Sequence, residues 1–368
     1  MFIRLTAKML VNVHDLNNEA SVGYFTDIRK VKLINEAGEV VEAPAVSGNM
    51  LKHWHFVYMK RALEEKGYEK LCSYCLNEEA FRIPQDDRRV SRLKNPSPAE
   101  IEEEIISTCA IEDLHGYLYP GKEVTSRRES LIKFSWLIPV LDSQSEIFTV
   151  THNRVARGVV AESEAQKTQQ KAECRSNDTA KRESEAQEIK QQMLFYKQYS
   201  SGLYGFSSCL DLAYVGVPFT REYIDEEKLC ERAEAGVSFT SRKYVIDDSD
   251  RKLRMKSALE AFIPLLTGGF GASQCRSLPI IKIQELLAVY SKNPCLPNPT
   301  SAIYSNYINE SISIYESFTS ISGADVVMMV YPRRGKERKE GKLRVLEYDK
   351  PLDVFKHIVE EIDGLFKK

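Results

Sequence analysis

The chain has 368 residues, 43% of them hydrophobic, and a formal net charge of −2. Such a length can bury a large core in two or three lobes, and the near-neutral balance excludes a uniformly basic coat for nucleic acid, so any polyanion must be met by local patches. Eight cysteines do not make a disulfide framework at this length, no eighteen-residue apolar run is present, and Met1-Phe2-Ile3-Arg4-Leu5 lacks a signal-peptide layout; a soluble cytoplasmic protein without membrane contact is expected.

Phe2 to Val13 alternates apolar and polar residues and predicts a first strand, ended by Asp15-Leu16-Asn17-Asn18. A second extended stretch, Ile28–Ile34, turns at Asn35-Glu36-Ala37-Gly38. The glycine loop Pro44–His53 then opens a helix with Ser47 as its N-cap, Leu51, Trp54, Tyr58 and Ala62 on one face, and Gly67 at its end. Residues 70–130 are Cys-rich, then charged, and broken by Pro84, Pro96 and Pro98, which predicts an inserted, mostly helical lobe. Leu131–Leu141 returns to a buried strand. Ala161–Lys190 is polar and charged without apolar periodicity and reads as a disordered or frayed insertion. Gly205–Gly216 is strand-like, Arg254–Leu266 a helix with Pro264 in its last turn, and a second glycine loop, Thr267–Arg276, follows directly. Leu278–Ile283, Asp325–Tyr331 and Leu343–Tyr348 read as strands. Arg333–Arg344, with seven Lys/Arg against two Glu, reads as a solvated hairpin tip. Pro351–Phe366 is an amphipathic helix with Phe355, Ile358, Val359, Ile362 and Leu365 as its stripe.

Without its insertions the order is strand, helix, strand, strand, helix, strand: an α+β chain with a ferredoxin-like (RRM-like) βαββαβ core. Residues 1–69 form its first half, 70–130 the inserted lobe, 131–150 a core strand, 151–197 a second insertion, and 198–368 the second half with the terminal helix. The two glycine loops combine close backbone approach, amide N–H groups and nearby cations, which suits a phosphodiester chain. The candidates are Ser47, Gly48, Asn49, Lys52 and His53 in the first, and Gly268, Gly269, Gly271, Ser273, Gln274 and Arg276 in the second. Neither loop has the Walker ending or dinucleotide spacing, so polyanion binding without nucleotide chemistry is expected. His152, Asn153 and Arg154 join a flat ring, an amide and a planar cation, a set able to stack on an unpaired base while holding a phosphate. Cys72-x-x-Cys75 has half-site spacing for zinc, and Cys109 with His115 would complete a structural tetrahedron; the bland reading of these cysteines is small core filler. No other cofactor is expected.

Several segments, in order, carry a family likeness: Asn12-Val13-His14-Asp15-Leu16-Asn17 with Ser21-Val22-Gly23, Ala45-Val46-Ser47-Gly48 leading to Leu51-Lys52-His53, His152-Asn153-Arg154-Val155, Phe195–Phe206 and Gly268–Arg276. The chain resembles the DevR-type backbone subunit of the type I CRISPR interference complex (Cascade), most closely the archaeal type I-A form. The resemblance implies a non-enzymatic antiviral protein that assembles head-to-tail along one CRISPR guide RNA, beside other subunits of the complex, and presents the guide to target DNA. It also implies a thumb-like hairpin over the RNA, at about Thr151–Lys197, and RNA contact at Asn17, which sits in the family's Leu-Asn pattern although Tyr24-Phe25-Thr26 departs from it. No RNP motif is present, so base stacking on the sheet face is not expected. Two enzymatic readings compete. One is a guide-processing ribonuclease using His53 with Lys52 or Tyr58, and the other a target-RNA nuclease using Asp27. A transcriptional regulator is a fourth reading, without a convincing helix-turn-helix.

Overall fold

The computed structural model describes residues 1–22, 25–79, 82–141, 143–154, 193–220, 243–271 and 278–367. β1 (Phe2–His14) sends Ile3, Leu5, Ala7, Met9 and Val11 into the main core, and Phe2 into a second core on the opposite side. It ends in strain: Val13 and Leu16 hold φ +52° and +46°, a region that β-branched valine rarely enters. β2 (Asn18–Val22) and β3 (Phe25–Ile28) follow. The extended stretch expected over Ile28–Ile34 divides at Arg29, because β4 (Lys30–Ile34) leaves the main sheet to pair with β5 (Val40–Pro44) as a separate hairpin.

α1 (Gly48–Glu65) is enclosed more widely than the predicted stripe. His55, Phe56, Met59 and Leu63 are buried, whereas Trp54, Tyr58 and Ala62 are half-buried, since helices pack against α1 on more than one side. The following segment holds α2 (Ser73–Leu76), α3 (Arg88–Ser91), α4 (Pro98–Thr108) and α5 (Ala110–His115), then the hairpin β6 (Tyr117–Pro120) and β7 (Thr125–Arg128). It has a small core of its own around Ile83, Ile101, Ile105 and Tyr119. The strand expected over Leu131–Leu141 is two short pieces, β8 (Ile132–Phe134) and β9 (Ile138–Pro139), with β10 (Ser145–Arg154) beyond.

β11 (Met193–Leu210) begins well before the predicted Gly205 and closes on a 3₁₀ turn, Leu212–Tyr214. The helix expected over Arg254–Leu266 starts a turn and a half earlier as α6 (Asp248–Glu260), capped by Asp247, and breaks at Ala261 before α7 (Phe262–Leu266). β12 (Ile280–Ser291) outruns the predicted Leu278–Ile283, and Leu278 itself is exposed. α8 (Tyr307–Ser322) has no counterpart in the sequence reading. β13 (Val326–Tyr331), β15 (Leu343–Glu347) and α9 (Pro351–Leu365) complete the chain as expected, except that Leu365 lies outside the buried stripe, and the exposed stretch read as a hairpin tip holds an unpredicted strand, β14 (Arg338–Glu340), antiparallel to β15.

The molecule is mixed α+β around an eleven-stranded sheet ordered β14-β15-β13-β12-β1-β11-β3-β2. β1 is antiparallel to both neighbours, β12 and β11. The far edge of β11 is shared in succession by β8 at Ser208–Leu210, β9 at Tyr204–Gly205 and β10 from Gly202 back to Met193. α1, α6, α7 and α9 cover one face; α8 covers the other through Tyr307, Ile312 and Tyr315. A fully buried ionic network ties the 70–130 segment to this frame. Asp113 accepts from Arg128 (2.8 Å), Arg254 (2.8 Å) and the Gly216 amide, while Glu102 accepts from Arg128 (2.7 Å) and the Phe219 and Thr220 amides. Burying these charges is tolerable only because hydrogen bonds surround them. Among the described residues, no helix is long and apolar enough to cross a membrane.

Candidate nucleic-acid interface

The start of α1 is built for an anion. Ser47 is extended and buried, and its Oγ accepts from the Met50 amide at 3.2 Å, the N-cap expected from its residue type. The amides of Gly48 and Asn49 precede the first helical bond, and the first turn carries no acidic side chain to oppose an incoming negative charge. Gly48 is required by packing: a Cβ there would meet the Phe134 carbonyl oxygen at 2.5 Å, so β8 lies directly against the helix end. The two elements enclose a cleft of about 290 Å³ lined by Ser47, Gly48, Asn49 and Lys52 on one side and by Lys133, Phe134 and Trp136 on the other. Burial pushes the Lys52 amine below its ordinary range, so an anion beside it would replace lost solvation. His53 is half-buried and meets Trp54 edge-on at 5.8 Å.

The second glycine loop serves the protein before any ligand. A Cβ on Gly269 would stand 2.4 Å from the Tyr58 hydroxyl, and one on Gly271 would stand 2.7 Å from His14 and 3.1 Å from Asp15. Gly268 and Gly271 also hold positive φ, at +104° and +119°. The loop thus locks onto the strained end of β1, where the His14 ring stacks on Phe270 at 4.7 Å. Ser273, Gln274 and Arg276 lie outside the described residues. At the same corner Asp15 receives the Lys197 ammonium at 2.7 Å; burial alone would raise its carboxyl, but hydrogen bonds from His14 and Lys197 outweigh it and hold the group below its usual range. With its amide oxygen toward the guanidinium, Asn17 accepts from Arg29 Nη1 (3.2 Å) and Nε (3.3 Å), and its carbonyl takes the Arg29 amide at 2.7 Å. The Arg29 carbonyl in turn takes the Ala45 amide, two residues ahead of the α1 cap.

His152 sits on β10, stacked on Phe195 at 5.1 Å with Nε2 3.1 Å from the Tyr199 hydroxyl, so this strand histidine does have partners. The Lys197 ammonium lies 5.6 Å from the Tyr199 ring centre, which links His152 to the Asp15 corner through β11. For Asn153 and Arg154 only the backbone is described, paired with Leu194 and Met193. The insertion expected over 151–197 falls mostly on residues 155–192, outside the described residues.

In the 70–130 segment, Cys72, Cys75 and Cys109 converge with all three sulfurs within 4.8 Å of one another. His115 does not join them. Its Nε2 faces Nδ1 of the buried His55 at 3.1 Å, and His55 Nε2 reaches the Ala258 carbonyl at 2.8 Å. Proximity in sequence suggested His115 as a ligand, but a side chain sixty positions away has claimed it.

The predicted residues therefore gather at two places, the α1 cleft (Ser47, Gly48, Asn49, Lys52) and the corner of β1 (Asn17 and Gly271, with His152 two strands over on β10). Lys133 and Trp136 in the cleft, and Asp15, Arg29 and Lys197 at the corner, were not singled out from sequence. The only signal for Lys133 was its place on an outward position of the predicted strand Leu131–Leu141.

Comparison with known proteins follows this geometry. Residues 5–312 match the model of a family described as CRISPR-associated negative auto-regulator DevR/Csa2. A Methanocaldococcus jannaschii protein called CRISPR-associated protein Cas7/Cst2/DevR is 32% identical over 330 residues, covering 86% of this chain and 89% of its own. A Thermoproteus tenax protein of the same description is 29% identical over 334 residues, covering 90% and 86%. The Saccharolobus solfataricus CRISPR-associated aCascade subunit Cas7/Csa2 2 is 26% identical over 306 residues, covering 80% and 81%.

Proposed function

The chain belongs to the CRISPR-associated DevR/Csa2 family, and from that premise we propose that it is a backbone subunit binding CRISPR guide RNA in a type I interference complex of the cytoplasm. The observation that carries this is the α1 cleft. A long helix points capped, acid-free amides at a space flanked by Lys52 and Lys133, which suits a phosphate. Sequence is then left to the guide's own pairing with target DNA. The relative described as an aCascade subunit supports placement beside other subunits of such a complex, and assembly with further copies of this chain is part of the same reading. The order β12–β1–β11–β10, antiparallel throughout, is the 4-1-3-2 order of a ferredoxin-like unit and supports that core. The 151–197 segment is assigned as the thumb, because it leaves and re-enters through the paired strands β10 and β11.

The protein acts as a scaffold without catalysis. His53 and Tyr58 are five positions apart on one helix, about 140° around its axis, so they do not converge on one reacting atom. The Tyr58 hydroxyl is moreover packed against Gly269. Anisotropy with labelled guide-like single-stranded RNA across a salt series tests this reading. Each of Lys52→Ala and Lys133→Ala should flatten the log–log salt slope by about 0.7, equally for unrelated sequences. Loss confined to one RNA sequence, or RNA cleavage by the purified protein with or without divalent metal, would refute it.

A further inference from the structure

We propose that Cys72, Cys75 and Cys109 together bind one zinc ion. Cys72 is the N-cap of the short helix α2 and Cys75 lies within it, while Cys109 stands at the junction of α4 and α5, so the site joins two stretches more than thirty positions apart. The three sulfurs lie within 4.8 Å of one another. Zinc–sulfur bonds of about 2.3 Å in a tetrahedron place sulfurs about 3.8 Å apart, so this triangle closes onto a single ion with small side-chain shifts. An iron–sulfur cluster, whose thiolates sit on separate irons, needs a wider one.

The Ala110 amide bonds the Lys70 carbonyl at 3.0 Å, holding the two stretches in register. Nearby, the Arg89 guanidinium pairs with Asp87 (3.1 Å) and Glu112 (2.5 Å), which fixes the start of α3 against α5. Soft sulfur donors select zinc over magnesium or calcium. Among the described residues no fourth protein ligand is present, and Cys72 is half-buried. Each thiol releases its proton as its bond to zinc forms, no electron moves, and loading weakens in acid. Cys75 and Cys109 belong to the main core that α1 shares, so the ion closes the two stretches of the inserted segment onto each other against that core.

Elemental analysis of the RNA-free full chain, loaded with zinc under anaerobic reducing conditions and desalted, should find about one zinc per chain. Cobalt in its place should give sulfur-to-metal charge transfer and the intense visible bands of a tetrahedral thiolate site. Cys72→Ser should lower zinc affinity at least about tenfold, whereas the exposed Cys295→Ser leaves it unchanged. Less than about a tenth of an equivalent of zinc, absent cobalt bands in the wild-type chain, or a full equivalent retained by Cys72→Ser would overturn the assignment. A Cys72–Cys75 disulfide in protein purified without oxidant would do so as well. None of these readouts involves RNA, so they stand or fall apart from the scaffold reading.

Discussion

The paired histidines beneath the cleft make acid stability the sharpest test of the packing. His55 is fully enclosed: Phe262 meets its ring edge-on at 4.7 Å, its Nε2 proton goes to the Ala258 carbonyl, and Nδ1 is left to accept from His115. Burial drives His55 down to about 3, and burial together with the positive charge of His55, Lys52 and His53 drives His115 well below its ordinary value. Both folded values lie below the unfolded one of about 6.5, so the unfolded chain takes up protons first as pH falls. Stability from the neutral pair is complete above about pH 6.5 and drains away toward the folded values. Between pH 7 and pH 5 the loss is about 2 kcal/mol for His55, and His115 adds to it in the same direction. Urea unfolding of wild type and of His55→Gln/His115→Gln at both pH values isolates this from the carboxylates, because both proteins carry the same ones. Wild type should lose at least about 2 kcal/mol relative to the double variant on acidification. A relative change below about 1 kcal/mol would show that the rings are protonated in the native state and refute the buried neutral pair.

Two further outcomes follow from the same packing. Asp113→Asn strips the charge that Arg128 and Arg254 share in a site without solvent, so it should cost about 3–5 kcal/mol in chemical unfolding, and a loss under about 1 kcal/mol would mean water reaches the network. Ser47→Ala should lower stability by about 1 kcal/mol while Ser47→Gly costs only a few tenths, measured as urea midpoints; equal losses would deny the cap its role.

What could be read without coordinates had local causes. Ser47 ahead of an apolar-periodic run announced α1, and Phe355, Ile358 and Ile362 announced α9, since each signal lies within a few turns of chain. α8 gave no such signal: its buried face mixes Tyr307, Ile308 and Ile312 with Ser311 and Thr319, whose hydroxyls turn back to helix carbonyls at Tyr307 and Glu316. The break at Ala261 and the fragmentation of 131–154 into three strands arise from the frame they dock on, which no window of sequence contains. At the site the division is similar. Lys52 was legible from its place in the first turns of a capped helix, but Lys133 enters the cleft only because Gly48 lets β8 approach. The Cys-x-x-Cys spacing was legible and Cys109 does meet it. The choice of His115 failed because a distant ring, His55, supplies its hydrogen-bond partner.

The pairing of Arg154 with Met193 sets a rule for the segment between them. Its two ends are fixed on adjacent strands, about 5 Å apart, whatever their interior contains. Relatives could therefore lengthen, shorten or exchange that interior without renegotiating the sheet. An engineer could likewise graft a foreign loop there, using the root of the hairpin as a ready socket.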